Sequence, residues 1–165
     1  MFKGNRKIIA AAALIACSLG SQAFAQSPGC IALKSVAEVE QEVVDAKGQK
    51  SVKLVPATTV VPGTVVQWTV TADNVCKQPS EKVTINNAVP DHMTYVANSA
   101  TGTPGADISY SLDGKTFGTA DQLNVTESGA ARKARTDEYK HIRWVFKNPL
   151  APGAHAVARF RALLN

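Results

Sequence analysis

Two adjoining stretches decide the fold: residues 60–74, VVPGTVVQWTVTADN, and residues 82–99, KVTINNAVPDHMTYVANS. After the Pro62-Gly63 turn, Val66, Trp68, Val70 and Ala72 alternate with Val65, Gln67, Thr69 and Thr71. Alternation at period two, with β-branched and aromatic residues on one side, predicts a strand with one buried face. A second strand carries Val83 and Ile85 inward. A turn at Val89-Pro90-Asp91 follows, and then a third strand from Met93 to Val96.

Working outward, the same period recurs. Ile142, Trp144 and Phe146 alternate with His141, Arg143, Val145 and Lys147, and Ala156, Ala158, Phe160 and Ala162 alternate with Arg159 and Arg161. Ile108, Tyr110 and Leu112 run up to Asp113-Gly114, which predicts a type I′ hairpin with Phe117 on the returning arm. Leu123 and Val125 mark a further strand before a turn at Ser128-Gly129, and Val52 and Leu54 mark one that Pro56 stops. Residues 31–44 fit two patterns. A helical stripe runs through Val36, Val39 and Val43, while Glu38, Glu40 and Glu42 alternate with apolar neighbours. The strand reading is taken because everything downstream is β, and it makes this an edge strand with a solvated acidic face. The expectation is an all-β domain of about eight short strands, an immunoglobulin-like antiparallel β-sandwich, with a closed barrel as the alternative.

The first 25 residues read differently. Lys3, Arg6 and Lys7 precede an apolar run from Ile8 to Leu19, and Ala23-Phe24-Ala25 forms an A-x-A site before Gln26. These are the three parts of a secretory signal peptide, and the apolar run is too short for a membrane span. The organisation expected is a leader at 1–25, a short linker at 26–32 and one domain at 33–165. Leu14-Ile15-Ala16-Cys17 also resembles a lipobox, which makes lipidation at Cys17 the alternative processing. Either route leaves Cys30 and Cys76, and an even cysteine count in an exported chain suggests a disulfide. Localisation is expected to be periplasmic or extracellular, or lipid-anchored through Cys17.

The formal charge of +5 partly reflects the leader. Without Lys3, Arg6 and Lys7, 15 of the 18 basic residues remain, against 13 acidic ones. The balance is uneven: residues 131–165 hold 8 basic and 2 acidic groups. If the last two strands pair as a hairpin, Arg143, Lys147, Arg159 and Arg161 share one outer face, with Arg143 opposite Arg159. Such a face is a candidate site for an anionic glycan, lipid head group or other polyanion, the alternative being a solvated face that discourages edge pairing. No surface aromatics are interleaved with these cations, which argues against nucleic acid.

No catalytic or cofactor motif appears: G-x-S-x-G, H-E-x-x-H and phosphate-cradling glycine loops are all missing. His92, His141 and His155 have no nucleophile or orienting acid at a recognisable spacing. Asp91, Asp107, Asp113 and Asp121 sit where turn chemistry explains them. The chain is therefore read as a non-enzyme without cofactor or metal.

The segments Val61-Pro62-Gly63, Val66-Trp68-Val70, Ala88-Val89-Pro90, Met93-Thr94-Tyr95-Val96, Tyr110-Ser111-Leu112-Asp113-Gly114, Ile142-Arg143-Trp144 and Leu150-Ala151-Pro152-Gly153 together resemble the conserved repeat domain of bacterial surface proteins, domain of unknown function eleven. The resemblance spans roughly residues 33–163. It implies an immunoglobulin-like module on exported, envelope or surface proteins, acting by contact with an envelope or surface partner. The chain departs from the pattern in having a single copy, and in carrying Thr64 and Asn87 where the family tends to have Asp.

Overall fold

The computed structural model describes residues 29–44 and 46–165, so the leader and Cys17 lie outside the described residues. The chain there is all-β. In order, the strands are β1 (Ile31–Val44), β2 (Lys50–Pro56), β3 (Val65–Asn74), β4 (Thr84–Ala88), β5 (Met93–Tyr95), β6 (Thr101–Gly102), β7 (Ala106–Ser111), β8 (Asn124–Glu127), β9 (Ala130–Lys133), β10 (His141–Phe146) and β11 (His155–Leu164). A 3-10 turn, Thr136–Glu138, precedes β10. Because β1 starts at Ile31, residues 31 and 32 belong to the domain rather than to a linker.

Two antiparallel sheets face each other. The larger has the order β2-β1-β3-β11-β5, with β6 also beside β11; the smaller is β4-β10-β7; and β8-β9 forms a separate hairpin. The period-two faces pack as the alternation requires. Val66, Val70 and Ala72 of β3, Ile142, Trp144 and Phe146 of β10, and Ala156, Ala158, Phe160 and Ala162 of β11 are all buried. Phe160 joins the sheets. Its ring lies 6.4 Å from Trp68 within its own sheet and 6.2 Å from Trp144 across the core. The four small alanines around it on β3 and β11 leave the volume that these three large rings fill.

Three expectations are corrected. The last two strands do not form a hairpin: β10 pairs with β4 and β7, whereas β11 pairs with β3, β5 and β6 in the opposite sheet. An eight-residue link containing two prolines is long enough to cross from one sheet to the other, and burial of both apolar faces is better served by facing layers than by one sheet. Residues 31–44 do form a strand, but it is not an edge along its whole length. β1 pairs with β3 through Ile31–Val39 and with β2 through Glu38–Val44, on its two different sides. The I′ hairpin is displaced as well. Asp113 Oδ1 accepts hydrogen bonds from the backbone N–H of Lys115 (2.8 Å) and Thr116 (2.9 Å), building a wider loop that returns to β7 through the Tyr110–Gly118 bridge. The two-residue turn with positive φ at both positions is Ser128 (51°) and Gly129 (82°), which sets Glu127 opposite Ala130.

The Pro62-Gly63 turn does launch β3. Thr64 N–H bonds Val61 O at 3.0 Å and Gly63 has φ 88°, the geometry of a type II turn. At the other end of β3 the buried Asn74 is fully used. Its Nδ2 donates to Gln78 O (2.8 Å) and Leu150 O (2.7 Å), and its Oδ1 accepts from Cys76 N–H (3.0 Å). Beside it the Cys30–Cys76 disulfide is formed, with Cα atoms 5.1 Å apart, and ties the start of β1 to the loop after β3. Closing its 46-residue separation stabilises the fold by about 4 kcal/mol in the chain-entropy account.

Phe160→Ala removes the ring shared by both tryptophans. It is expected to cost about 3–5 kcal/mol in equilibrium urea unfolding. A loss below about 1 kcal/mol would show that the two sheets are not joined through this ring.

Candidate contact surface

The four basic residues proposed as one face occupy two opposite sides of the molecule. Arg143 and Lys147 belong to the outer side of the small sheet, and Arg159 and Arg161 to the outer side of the large one. Most are engaged within the chain. Arg143 donates through Nε to Asn86 Oδ1 at 2.7 Å and lies over the Phe117 ring at 3.6 Å. Lys147 pairs with Asp107 at 2.8 Å, and Arg161 with Glu40 at 3.7 Å. These exposed pairs contribute little to stability. They nevertheless offset the charge that a polyanion site would need, so the basic hairpin does not exist as a surface.

The cations just upstream are also neutralised. Arg132 grips both carboxylate oxygens of Glu138, at 2.8 and 2.7 Å, and reaches Glu127 as well. Glu138 takes a further bond from the Arg135 backbone N–H at 2.7 Å. The Arg132 guanidinium first, and then the Arg135 N–H, hold the Glu138 carboxyl down at about 2. This network fastens the β8-β9 hairpin to the 3-10 turn.

The remaining polar groups are also accounted for by the fold. Tyr95, Tyr110 and Tyr139 form a cluster with ring centroids 4.7–6.0 Å apart. Burial, and then the contact of the Tyr110 hydroxyl with that of Tyr95, pushes the Tyr110 phenol upward, away from nucleophilic use. His92 sits in a turn with φ 61°, His141 lies against Gly114, and His155 is exposed. Among the described residues no group of three or more His, Cys, Asp or Glu side chains is placed to hold a metal ion.

What stands out instead is a difference in width between the sheets. β7 lies against β5 through Tyr110 and Tyr95, and β10 lies against β11 through Trp144 and Phe160. That leaves β4 over β3, and β1 and β2 overhang the small sheet. Exposure follows. Leu33, on the inner side of β1 opposite Ala72, is 61% exposed, and every residue of β2 except Val55 is exposed. Register places Val44, Val52 and Leu54 together on the outer side of the β1-β2 ribbon, in line with Val65 of β3. All four are exposed, and a cleft of 370 Å³ lined by Val39, Val65, Val96, Glu40 and Arg161 opens at the ribbon's base. A two-stranded ribbon with apolar residues on view is marginal on its own.

The overhang also has a free edge. Among the described residues, β2 covers that side of β1 only from Glu38 onward, leaving residues 31–36 without a neighbour there. The direction of the unpaired groups is known. Cys30 O accepts from Val75 N–H on the β3 side, and Ala37 O accepts from Ala57 N–H on the β2 side. By alternation, Ile31, Leu33 and Ser35 aim both N–H and C=O outward. Next to this region the Trp68 Nε1 is buried with no acceptor, whereas Trp144 Nε1 donates to Thr101 O at 2.9 Å. The alternation of residues 31–44 suggests an edge strand but not which part of it stays open, because the pattern describes faces and is silent about which strand lies beside which.

No family model, no curated protein and no solved structure matches the chain.

The Glu138 network carries a pH dependence. Its carboxyl titrates lower in the folded chain than in the unfolded one, so its contribution is present above the unfolded value of about 4.5 and lost as pH falls toward about 2. Carboxyl-carbon NMR should find the Glu138 midpoint near 2 in the native chain, rising toward the ordinary range in Arg132→Gln. A native midpoint above 4 would break the assigned network.

Proposed function

We propose that this chain is an exported, non-enzymatic protein of the bacterial envelope, a β-sandwich module that works by contact. The observation that carries the reading is the overhang of β1 and β2. It is a ribbon that sets exposed Val44, Val52 and Leu54 among Glu38, Glu40, Glu42 and Lys50, together with a free strand edge, held out beyond the core by a disulfide-tied sheet. Strand edges and exposed apolar faces of this kind are used to recognise extended polypeptide. The Cys30–Cys76 bond supports an oxidising compartment, in line with the leader read at residues 1–25. The likeness to the conserved repeat domain of bacterial surface proteins supports the same setting. On this reading the fold is a variant of the immunoglobulin-like sandwich in which the last strand joins the sheet of β3. Binding of anionic polymer through Arg143, Lys147, Arg159 and Arg161 loses its basis, since those residues are divided between two outer faces.

The test is cell fractionation of the full chain expressed with its own leader. Intact mass should locate the mature N-terminus at Gln26, with two hydrogens missing until reduction; a start at an acylated Cys17 would assign the alternative, lipid-anchored route. The wild type is expected in the envelope-associated fraction. The double variant Val52→Asp, Leu54→Asp should move to the free fraction with an unchanged melting curve, because both residues are exposed. An unchanged distribution in that variant would overturn the overhang as the working surface.

A further inference from the structure

We infer that the free edge of β1 is a self-pairing edge: two copies of the chain join through Ile31–Ser35, antiparallel, about a two-fold axis at Leu33. The inference rests on the reading of the overhang as the contact surface and names one occupant for its edge.

Not every edge of this molecule is open to another strand. β2 presents Lys50, Lys53 and Pro56, with Lys53 turned to the inner side, the features that block edge pairing. β7 is partly closed by the Tyr110–Gly118 bridge. Along β4, Asn87 Nδ2 folds back onto Ala88 O at 2.7 Å. Residues 31–35 of β1 carry no such guard: Lys34 is the only charge, and it faces the outer side, opposite Thr71.

Hydrogen-bond phase and charge then select one register. Ile31, Leu33 and Ser35 aim their backbone groups outward, so an incoming copy must set these odd positions opposite one another. Centring the pair on Lys34 would place two ammonium groups directly opposite, in the closer, non-hydrogen-bonded position. Centring it on Ser35 would bring Leu33 against Ala37, whose carbonyl is already taken by Ala57 N–H. Centring it on Leu33 sets Leu33 against Leu33 of the second copy, Ile31 against Ser35 and Ala32 against Lys34. No like charges meet, and three mutually bonded residue pairs form. The exposed Leu33 gains an apolar neighbour at the axis.

The rest of the fold leaves room. The two-fold axis stands normal to the sheet, so both small sheets lie on one side of the joined sheet. Leu33 at the axis is exposed, so the small sheet of its own copy does not cover it. Beyond Glu38 the edge belongs to β2, so the pairing cannot lengthen. A contact of this size falls at the weak end of specific interfaces and is concentration-dependent.

The experiment uses the exported, disulfide-bonded chain. Sedimentation velocity over a concentration series should show a monomer–dimer equilibrium. Leu33→Lys places like charges on the axis and should weaken association about tenfold or more, with an unchanged melt. Leu33→Cys should give a covalent dimer on mild oxidation, with Cys30–Cys76 intact by peptide mapping, whereas the comparably exposed Val44→Cys should not. A wild type that stays monomeric throughout, or a dimer that survives Leu33→Lys while Leu33→Cys crosslinks no more than Val44→Cys, overturns the inference. If the Val52, Leu54 variant still leaves the envelope fraction in that case, the contact reading stands and only the self-pairing fails.

Discussion

Phe160 in contact with both tryptophans is the interaction on which the architecture turns. The ring sits at the middle of β11, the central strand pair with β3 fixes its height, and Trp144 reaches it from the facing sheet. Alanines at 72, 156, 158 and 162 keep the backbones close enough for three rings to fill the space. Everything that must be placed accurately, including the tyrosine cluster at one end and the Asn74 and disulfide junction at the other, is referred to this pair of strands. A core assembled from a few large rings and many small residues specifies one stacking of the sheets, since sliding either sheet would set a ring against an alanine and open a void.

The same stacking creates the overhang. Three strands placed over β3, β11 and β5 cannot also cover β1 and β2. The large sheet therefore continues past its partner, and side chains whose alternation looks suited to a core, such as Leu33, meet solvent. Opposed ends of this overhang carry different chemistry. The β2 edge is defended by lysines and a proline, while the lower half of β1 is bare. A sheet that protects one edge and leaves another open presents a narrow window of five residues for strand pairing. A window of that width limits both what can bind and how tightly.

Charge behaves in the opposite way to what its distribution along the chain suggests. The basic excess of residues 131–165 is real, but the crossing between β10 and β11 sends Arg143 and Lys147 to one outer face and Arg159 and Arg161 to the other. Arg132 and Arg135 are consumed by Glu138, Glu127 and Asp137. Runs of like charge are one-dimensional facts. A field at a surface depends on which strands become neighbours and on the counter-charges folded in beside them.

Strand identity was legible in the residues alone, because period-two alternation is a local consequence of the pleat. It placed Val66, Val70, Ile85, Trp144 and Phe160 in the core, assigned β1 as a strand despite a competing helical stripe, and paired compartment with cysteine count to anticipate Cys30–Cys76. Neighbours were not legible. That β10 and β11 lie in opposite sheets, that β1 is shared between β3 and β2, that the I′ turn falls at Ser128-Gly129 rather than Asp113-Gly114, and that an edge at residues 31–36 stays open all depend on non-local pairing. Side-chain alternation reports which face a residue belongs to. Which strand lies alongside is decided by burial summed over the whole fold, and only the tertiary structure performs that sum.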